Sequence, residues 1–345
     1  MKSEFYDGTK VMSLKDINGL DPELYLITTN RTGGKTTFYR RYSINRFKNK
    51  GLKFAELFRY NYEIDDIADS FFKDLKGLFF PNDVFTSKSR CKGVFHELFL
   101  NDVSCGYAIP LNSAESVKKK SALFSDVDHM VFDEFQSETN HYTSDEIKKF
   151  LSIHTSISRG QGQQKRHVPV YMLGNTVSLL NPYYTALGIT NRLKSDTKFL
   201  KGDGFVVEQG FNESASLAQK ESGISRAFAG NEYVGYSSEC VYLNDNKMFI
   251  EAPEGTGRYL ATLKYSGKEY GLREYAEQGV IYCNNKSDST FPLRITVNTE
   301  DHNINYVMLK RNDIFLTNLR FYFEKGCFRF KDLQSKEAVL NALSY

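Results

Sequence analysis

The chain has 345 residues, 41% of them hydrophobic, 25% charged and 14% aromatic, with a formal net charge of +3. The length implies two domains with a small linker, and the composition implies a soluble globular protein with a sizeable core. So small a net charge neither demands nor excludes nucleic acid, because charged patches matter more than their sum.

In chain order, Leu24-Tyr25-Leu26-Ile27-Thr28-Thr29 reads as a buried strand. Asn30-Arg31-Thr32-Gly33-Gly34-Lys35-Thr36-Thr37 then gives a small-residue loop and a helix start, and the helix runs from Thr36 to about Lys50. Lys53 to Arg59 reads as a strand, and Ile64 to Leu75 has helical spacing. Val94 to Leu100 and Ser104 to Ile109 flank Asn101-Asp102, a hairpin signal. His129 to Phe132 is an apolar strand ending in Asp133-Glu134, and Ser144 caps a helix to about Thr155. Val168 to Leu173 is another buried strand, followed by a Gly174-Asn175 loop. This alternation predicts a mostly parallel sheet with helices on both faces. Near residue 210 the composition changes. Asn212 to about Arg226 is polar and helix-like, suiting a linker element. From about Tyr236 strands dominate: Tyr259 to Tyr265 and Glu269 to Tyr275 as a hairpin, Val280 to Cys283, Leu293 to Val297 and Phe328 to Phe330. Asp313 to Lys325 and Ser335 to Leu343 read as helices. Three antiparallel strands followed by mixed elements predict an RNase H-like α+β domain.

The strand–loop–Gly-Lys-Thr–helix order is how a phosphate-binding loop is built. Backbone N–H groups meet the phosphates, a lysine adds charge, and a hydroxyl holds Mg²⁺. Thr29 stands where the pattern has glycine. Such a loop needs a carboxylate for the metal and a group that orients water. Asp133 and Glu134 supply both at the C-terminal end of a strand, where open α/β sheets bind ligands. Taken with the loop upstream, Asp133 reads as the Mg²⁺ residue and Glu134 as the group polarising water; a solvated Asp-Glu strand end is the alternative. Arg31, inside the loop, can reach a γ-phosphate. Asn175 can bond the attacking water or the γ-phosphate, and otherwise is a turn residue. Arg159 reads by itself as a helix-terminal cation, but its place before the loop Gly160 to Gln164 also suits entry into a neighbour's site. Lys118-Lys119-Lys120 and Lys165-Arg166 either contact nucleic-acid phosphates or a neighbouring subunit, or are solvated loops.

The five cysteines, Cys91, Cys105, Cys240, Cys283 and Cys327, include no C-x-x-C pair, and the odd count argues against a disulfide framework. They read as reduced core residues of a cytosolic protein. The six histidines have no metal-ligand spacing. No apolar run resembles a signal peptide or approaches the roughly 18 residues of a membrane span. Asp245, Asp288, Asp301, Asp313 and Asp332 occupy loop or helix-start contexts, which argues against a two-metal nuclease site.

Several strings in order, Asn30 to Thr36, Ser43-Ile44-Asn45-Arg46-Phe47, Ala108-Ile109-Pro110-Leu111, Val131-Phe132-Asp133-Glu134-Phe135 and Asn175 to Tyr183, make the chain similar to the genome-packaging ATPases of phi-29-type small tailed phages, relatives of the large terminase motors. The resemblance runs through most of residues 11–190 and is loose in the C-terminal third. It implies an ASCE-type P-loop ATPase domain at 1–208, a linker domain at 209–238, and a nuclease-like domain at 239–345 without the nuclease acids. It also implies ATP and Mg²⁺ as cofactors and a homo-oligomeric ring, a pentamer, at the portal vertex of a capsid. The ring would pull in double-stranded DNA in the host cytoplasm, with a packaging RNA as a further candidate partner and no membrane. In the family's terms, Lys35 and Thr36 match the Walker A pair, Asp133 the Walker B aspartate, and Glu134 the catalytic glutamate. Arg31 matches the loop arginine, Arg159 an arginine supplied in trans, and Lys120 a basic interface residue. Two other readings compete: a different nucleic-acid ring ATPase, such as a helicase or conjugation-type translocase, and a scaffold that binds ATP without turnover.

Overall fold

The computed structural model describes residues 5–343 except 65–71, 139–141, 144, 179–180, 190–191, 194–196, 230, 240–247 and 311–312. Two compact units emerge. The first takes Met1–Thr176 and Asp196–Cys240; the second takes Val177–Ser195 and Val241–Tyr345.

The first unit is built on nine strands: β1 Leu24–Thr29, β2 Lys53–Phe58, β3 Phe85–Arg90, β4 Phe95–Leu100, β5 Val103–Pro110, β6 Val127–Phe132, β7 Val170–Asn175, β8 Phe199–Gly202 and β9 Phe205–Gln209. Their spatial order is β3-β4-β5-β2-β6-β7-β1-β9-β8. The run from β5 to β9 is parallel, and antiparallel strands close both edges. The strand carrying the loop, β1, and the strand carrying the acids, β6, do not touch; β7 lies between them and pairs with both. That added strand is the ASCE arrangement.

Parallel central strands are covered on both faces, so they read as continuous apolar runs rather than alternations. β1 fits, with Tyr25, Leu26 and Ile27 at 4% exposure or less. Tyr25 and Ile27 share one core cluster with Val131, Tyr171, Leu173 and Val206 from neighbouring strands and with Tyr39 of the Lys35–Lys50 helix. The Tyr39 and Tyr171 rings stack with centroids 4.9 Å apart. That helix therefore seats its first turn at the end of β1, and it stops at Gly51, whose φ of 67° ends the helix without Cβ strain.

Some expectations change. The Ile64–Leu75 spacing corresponds to a helix at Lys73–Phe79, and residues 65–71 lie outside the description. The helix expected from Ser144 runs Glu146–Ile157 with Asp145 as its N-cap; Ser144 itself, like Cys240, His141 and Asp245, lies outside the described residues. Gly174 and Asn175 end β7 rather than forming a loop. A Cβ on Gly174 would meet the Phe135 ring at 2.9 Å, so the close approach requires glycine. Strands β3, β8 and β9 were not anticipated, although Gly202-Asp203-Gly204 before Phe205-Val206-Val207 is a hairpin signal. The Asn212–Arg226 helix divides at Ser222 into Glu213–Glu221 and Gly223–Ala227, and a third helix, Glu232–Glu239, follows where strands were expected. Residues 209–238, expected as a linker, group with the first unit. Among the described cysteines, all free, Cys105 and Cys283 are buried core residues, but Cys91 is exposed in a turn and Cys327 half-buried.

The second unit carries six strands: β10 Arg258–Tyr265, β11 Lys268–Tyr275, β12 Val280–Asn284, β13 Arg294–Thr296, β14 Val307–Met308 and β15 Phe328–Phe330, in the order β14-β13-β10-β11-β12-β15. β10, β11 and β12 form the expected antiparallel trio, with β13 parallel to β10 and β15 parallel to β12. The Ser266-Gly267 turn has both φ values positive, at 49° and 74°, as a type I′ hairpin needs. The helices Ile314–Glu324 and Leu333–Leu343 bury Leu316, Leu319, Phe323, Val339 and Leu343 in this sheet's core. No helix of the described residues is long and apolar enough to cross a membrane.

Candidate active site

β1, β6 and β7 run parallel, so their C-terminal ends share one edge of the sheet. Thr29 is part of β1, 1% exposed, and its φ is not positive. The left-handed positions are Thr32, φ 61°, and Gly34, φ 88°. The missing glycine is thus not where this loop turns, and Thr29 fits as an ordinary strand residue. Gly34 is the N-cap and makes no side-chain cap bond, which leaves the helix's first N–H groups for an anion.

Lys35 is 8% exposed, and its Nζ donates to Asn175 Oδ1 at 2.7 Å. Thr36 Oγ1 donates to Asp133 Oδ1 at 3.2 Å, which joins the first turn of the Lys35–Lys50 helix to the residue just past β6. The Glu134 N–H donates to the same Oδ1 at 3.0 Å. Glu134 has φ 55°, a conformation that non-glycine residues hold only when their surroundings impose it. Burial, followed by the neighbouring charge of Asp133, raises its carboxyl above the ordinary glutamate range. Arg31 pairs through Nη2 with Glu138. Arg31, Thr32, Lys35, Thr36, Asp133, Glu134 and Asn175 all line one cavity of ≈ 970 Å³.

Other predicted residues sit elsewhere. Asn30, 1% exposed, is a structural tie: its Nδ2 donates to the Asn212 carbonyl at 2.9 Å, and its Oδ1 accepts from the Asn212 N–H at 2.8 Å. A Cβ on Gly33 would meet Asn212 Cβ at 3.3 Å, so this glycine admits the same contact. Thr37 is half-buried and does not line the cavity. Arg159 is exposed and lines a separate cavity beside Glu23 and Phe150, away from its own phosphate loop. Lys118 and Lys119 are exposed and Lys120 half-buried at the end of the Ala114–Lys118 helix. Lys165 pairs with Glu23 at 2.8 Å. Arg166 donates to the carbonyls of Val127 and Ile157 at 3.0 and 2.7 Å, so its guanidinium serves the fold.

Several residues around the site were not anticipated. Arg59, just past β2, donates to the carbonyls of Glu134 and Phe135 and pairs with Glu146, with Nε 3.1 Å from Oε2. It holds the backbone of the strained Glu134. Arg40 reaches Glu56 Oε1 at 2.7 Å and Asp133 Oδ2 at 3.7 Å. Glu56 is fully buried in β2, its Oε2 has no hydrogen-bond partner among the described residues, and burial, opposed by Arg40, raises its carboxyl to about 7. A charge inside an apolar strand needs a partner, and Glu56 within Lys53-Phe54-Ala55-Glu56-Leu57-Phe58 was the one sequence signal for this network.

A phosphate loop on one strand, acids on the next strand but one, and a polar residue on the strand between define an ASCE P-loop nucleotide-binding protein. The model of the family of podovirus DNA encapsidation proteins (Gp16) matches residues 1–343, and the chain belongs to that family. It is 26% identical over 333 residues to a DNA packaging protein of Bacillus phage phi29, covering 95% of this chain and 94% of that one. It is 23% identical over 305 residues to a DNA packaging protein of Bacillus phage B103, covering 87% and 88%. Its fold is similar to a chain of the bacteriophage Phi-29 viral genome packaging motor assembly, with TM-score 0.55, 24% identity and 96% of both chains covered. It is also similar to the Phi-28 gp11 DNA packaging motor, with TM-score 0.59, 18% identity and coverage of 99% and 98%.

Proposed function

We propose that the chain is an ATP-driven motor that moves double-stranded viral DNA into a preformed capsid, as one subunit of a ring at the portal vertex. The observation that carries this is the meeting of Lys35, Thr36, Asp133, Glu134 and Asn175 around one cavity, in a member of the encapsidation family. Lys35 and the first-turn N–H groups bind phosphate oxygens. A hydroxyl and a carboxylate oxygen 3.2 Å apart, on Thr36 and Asp133, are the hard donors that suit Mg²⁺. Mg²⁺ bound by Thr36 and Asp133 would supply neutralisation of the phosphate charge. Glu134 accepts a hydrogen bond from the attacking water and orients it. Arg31 exchanges Glu138 for the γ-phosphate. Asn175, bonded to Lys35 Nζ at 2.7 Å, registers the γ-phosphate through that bond. Arg159 does not line its own phosphate cavity, and the resemblance to phi-29-type motors supports its action on a neighbour's nucleotide.

The ring is a pentamer working in the host cytoplasm and at the procapsid, with a packaging RNA as a further candidate partner; the resemblance to phi-29-type motors supports these points. Lys118, Lys119, Lys120, Lys165 and Arg166 are the candidates for interface or DNA contact, and the ties of Lys165 and Arg166 within the subunit make those two the weaker ones. The chain divides into an ATPase domain at 1–208, a linker at 209–238 packed on it, and a nuclease-like domain at 239–345 without nuclease chemistry.

Lys35→Ala and Glu134→Gln should each lower DNA-stimulated ATP hydrolysis by about 10²-fold or more. Wild-type turnover in either variant would overturn the assignment. For Arg159, mixing Glu134→Gln with Arg159→Ala subunits should restore part of the ATPase activity; no recovery at any ratio would place Arg159 outside the neighbour's site.

A further inference from the structure

The cavity that begins at the phosphate loop has a second wall, and this wall lies in the segment read from sequence as a linker. It is formed by residues of the Glu213–Glu221, Gly223–Ala227 and Glu232–Glu239 helices and their connections. Four bonds fix the wall to the loop: the two of the reciprocal Asn30–Asn212 pair, Gln219 Nε2 to Thr32 Oγ1 at 3.0 Å, and the Arg31 N–H to the Ser237 carbonyl at 3.2 Å. The Asn212 side chain also caps the first of these helices, accepting from the Ala215 N–H at 2.9 Å. The tie that shapes the loop therefore sets the start of the wall.

Two large apolar side chains stand open on this wall. Phe228 is 57% exposed and Ile224 71% exposed, and both line the cavity together with Lys35 and Thr36. Phe228 ends the short Gly223–Ala227 helix, where its N–H donates to the Ile224 carbonyl and its own carbonyl accepts from the Asn231 N–H. Its backbone is held while, among the described residues, no ring contact occupies its face. Leaving such a side chain in water forgoes its burial energy, unless something flat and apolar covers it when the cavity fills. A cavity of ≈ 970 Å³ lies at the upper end of the range for small-molecule sites, larger than a triphosphate group alone needs.

We propose that Phe228, backed by Ile224, is the base subsite of the nucleotide whose phosphates lie on Lys35 and Thr36, its ring stacking on the nucleobase. The inference rests on reading residues 30–36 as the phosphate site. An aromatic face binds any π-surface, so the stacking contributes affinity with little choice among bases. It also links nucleotide occupancy to the 213–239 helices, because the base and the loop ties grip the same segment at different points.

The chain contains no tryptophan, so Phe228→Trp introduces a single fluorescent reporter. Its emission should change saturably on titration with Mg·ATP and stay unchanged with Mg·tripolyphosphate, which carries the phosphates without the base. Phe228→Ala should weaken ATP binding by roughly 10- to 100-fold while leaving tripolyphosphate affinity as in wild type, and Phe228→Tyr should retain ATP affinity. Lys35→Ala should weaken both ligands. Unchanged ATP affinity in Phe228→Ala, with both ligands lost in Lys35→Ala, overturns the base subsite and spares the phosphate site. Equal loss of both ligands in Phe228→Ala makes the residue a structural support and also overturns the proposal. Full binding of both ligands by Lys35→Ala overturns the phosphate site itself.

Discussion

In the unit built on the nine-stranded sheet, polar side chains converge on one edge; in the unit built on the six-stranded sheet, they disperse to turns and helix starts. Asp301 accepts from the Ser266 and Gly267 N–H groups, both at 2.8 Å, and so fastens the β10–β11 turn. Asp313 caps the Ile314–Glu324 helix, Asp332 accepts from the Ser335 N–H at 2.8 Å, and Asp288 closes a turn on Thr290. Glu269 is shared by Arg294 and Tyr306. These carboxylates are spent on backbone N–H groups and local pairs. In the first unit, Thr36, Lys35, Asn175, Asp133 and Glu134 come from three strand ends and face one cavity. The difference teaches that acid content says little about chemistry; what matters is whether parallel strands carry their polar ends to the same edge.

That comparison can be broken or sharpened by substitution. The largest effect is expected at Arg59. Arg59→Ala strands Glu146, 3% exposed, without its cation and should cost roughly 3–5 kcal/mol in urea unfolding. It should also slow hydrolysis more than it weakens ATP binding, because Arg59 holds the Glu134 carbonyl; an unfolding midpoint equal to wild type would contradict the buried pair. Next comes Glu56. Its folded-state value of about 7 lies above the ordinary glutamate value, so its contribution to stability is complete below the unfolded value and is lost as pH rises toward 7. Wild type should therefore lose up to about 3 kcal/mol relative to Glu56→Gln between pH 4 and pH 8. Parallel pH curves for the two proteins would show that Glu56 titrates normally. The smallest effect belongs to the second unit. Asp301→Asn weakens two charge-assisted bonds at the β10–β11 turn and should cost roughly 1–2 kcal/mol. ATP affinity and turnover should stay at wild-type values; a loss of either would erase the distinction between the two regions.

The elements that were legible are those written locally. The β1–loop–helix unit, the apolar run into Asp133-Glu134, the Ser266-Gly267 turn and the Gly51 helix stop each lie within a few residues, where turn chemistry and periodicity act. Thr29 looked like a defect only because a motif counts positions, whereas the backbone puts its positive φ at Thr32 and Gly34. The Asn212–Arg226 stretch was read as a polar linker since nothing local to it shows what it faces.

By itself, the sequence determined that a phosphate loop and a pair of strand-end acids exist, because each follows from adjacent residues and their backbone preferences. Only the tertiary structure decided that β7 separates their strands and brings Asn175 to Lys35. It alone decided that Arg59 and Arg40 brace the acids, that Asn30 ties down Asn212, and that the 213–239 helices wall the cavity. Each of those contacts joins residues distant in the chain, and a side chain's partner across such a distance is chosen by strand order and packing, which no local pattern encodes.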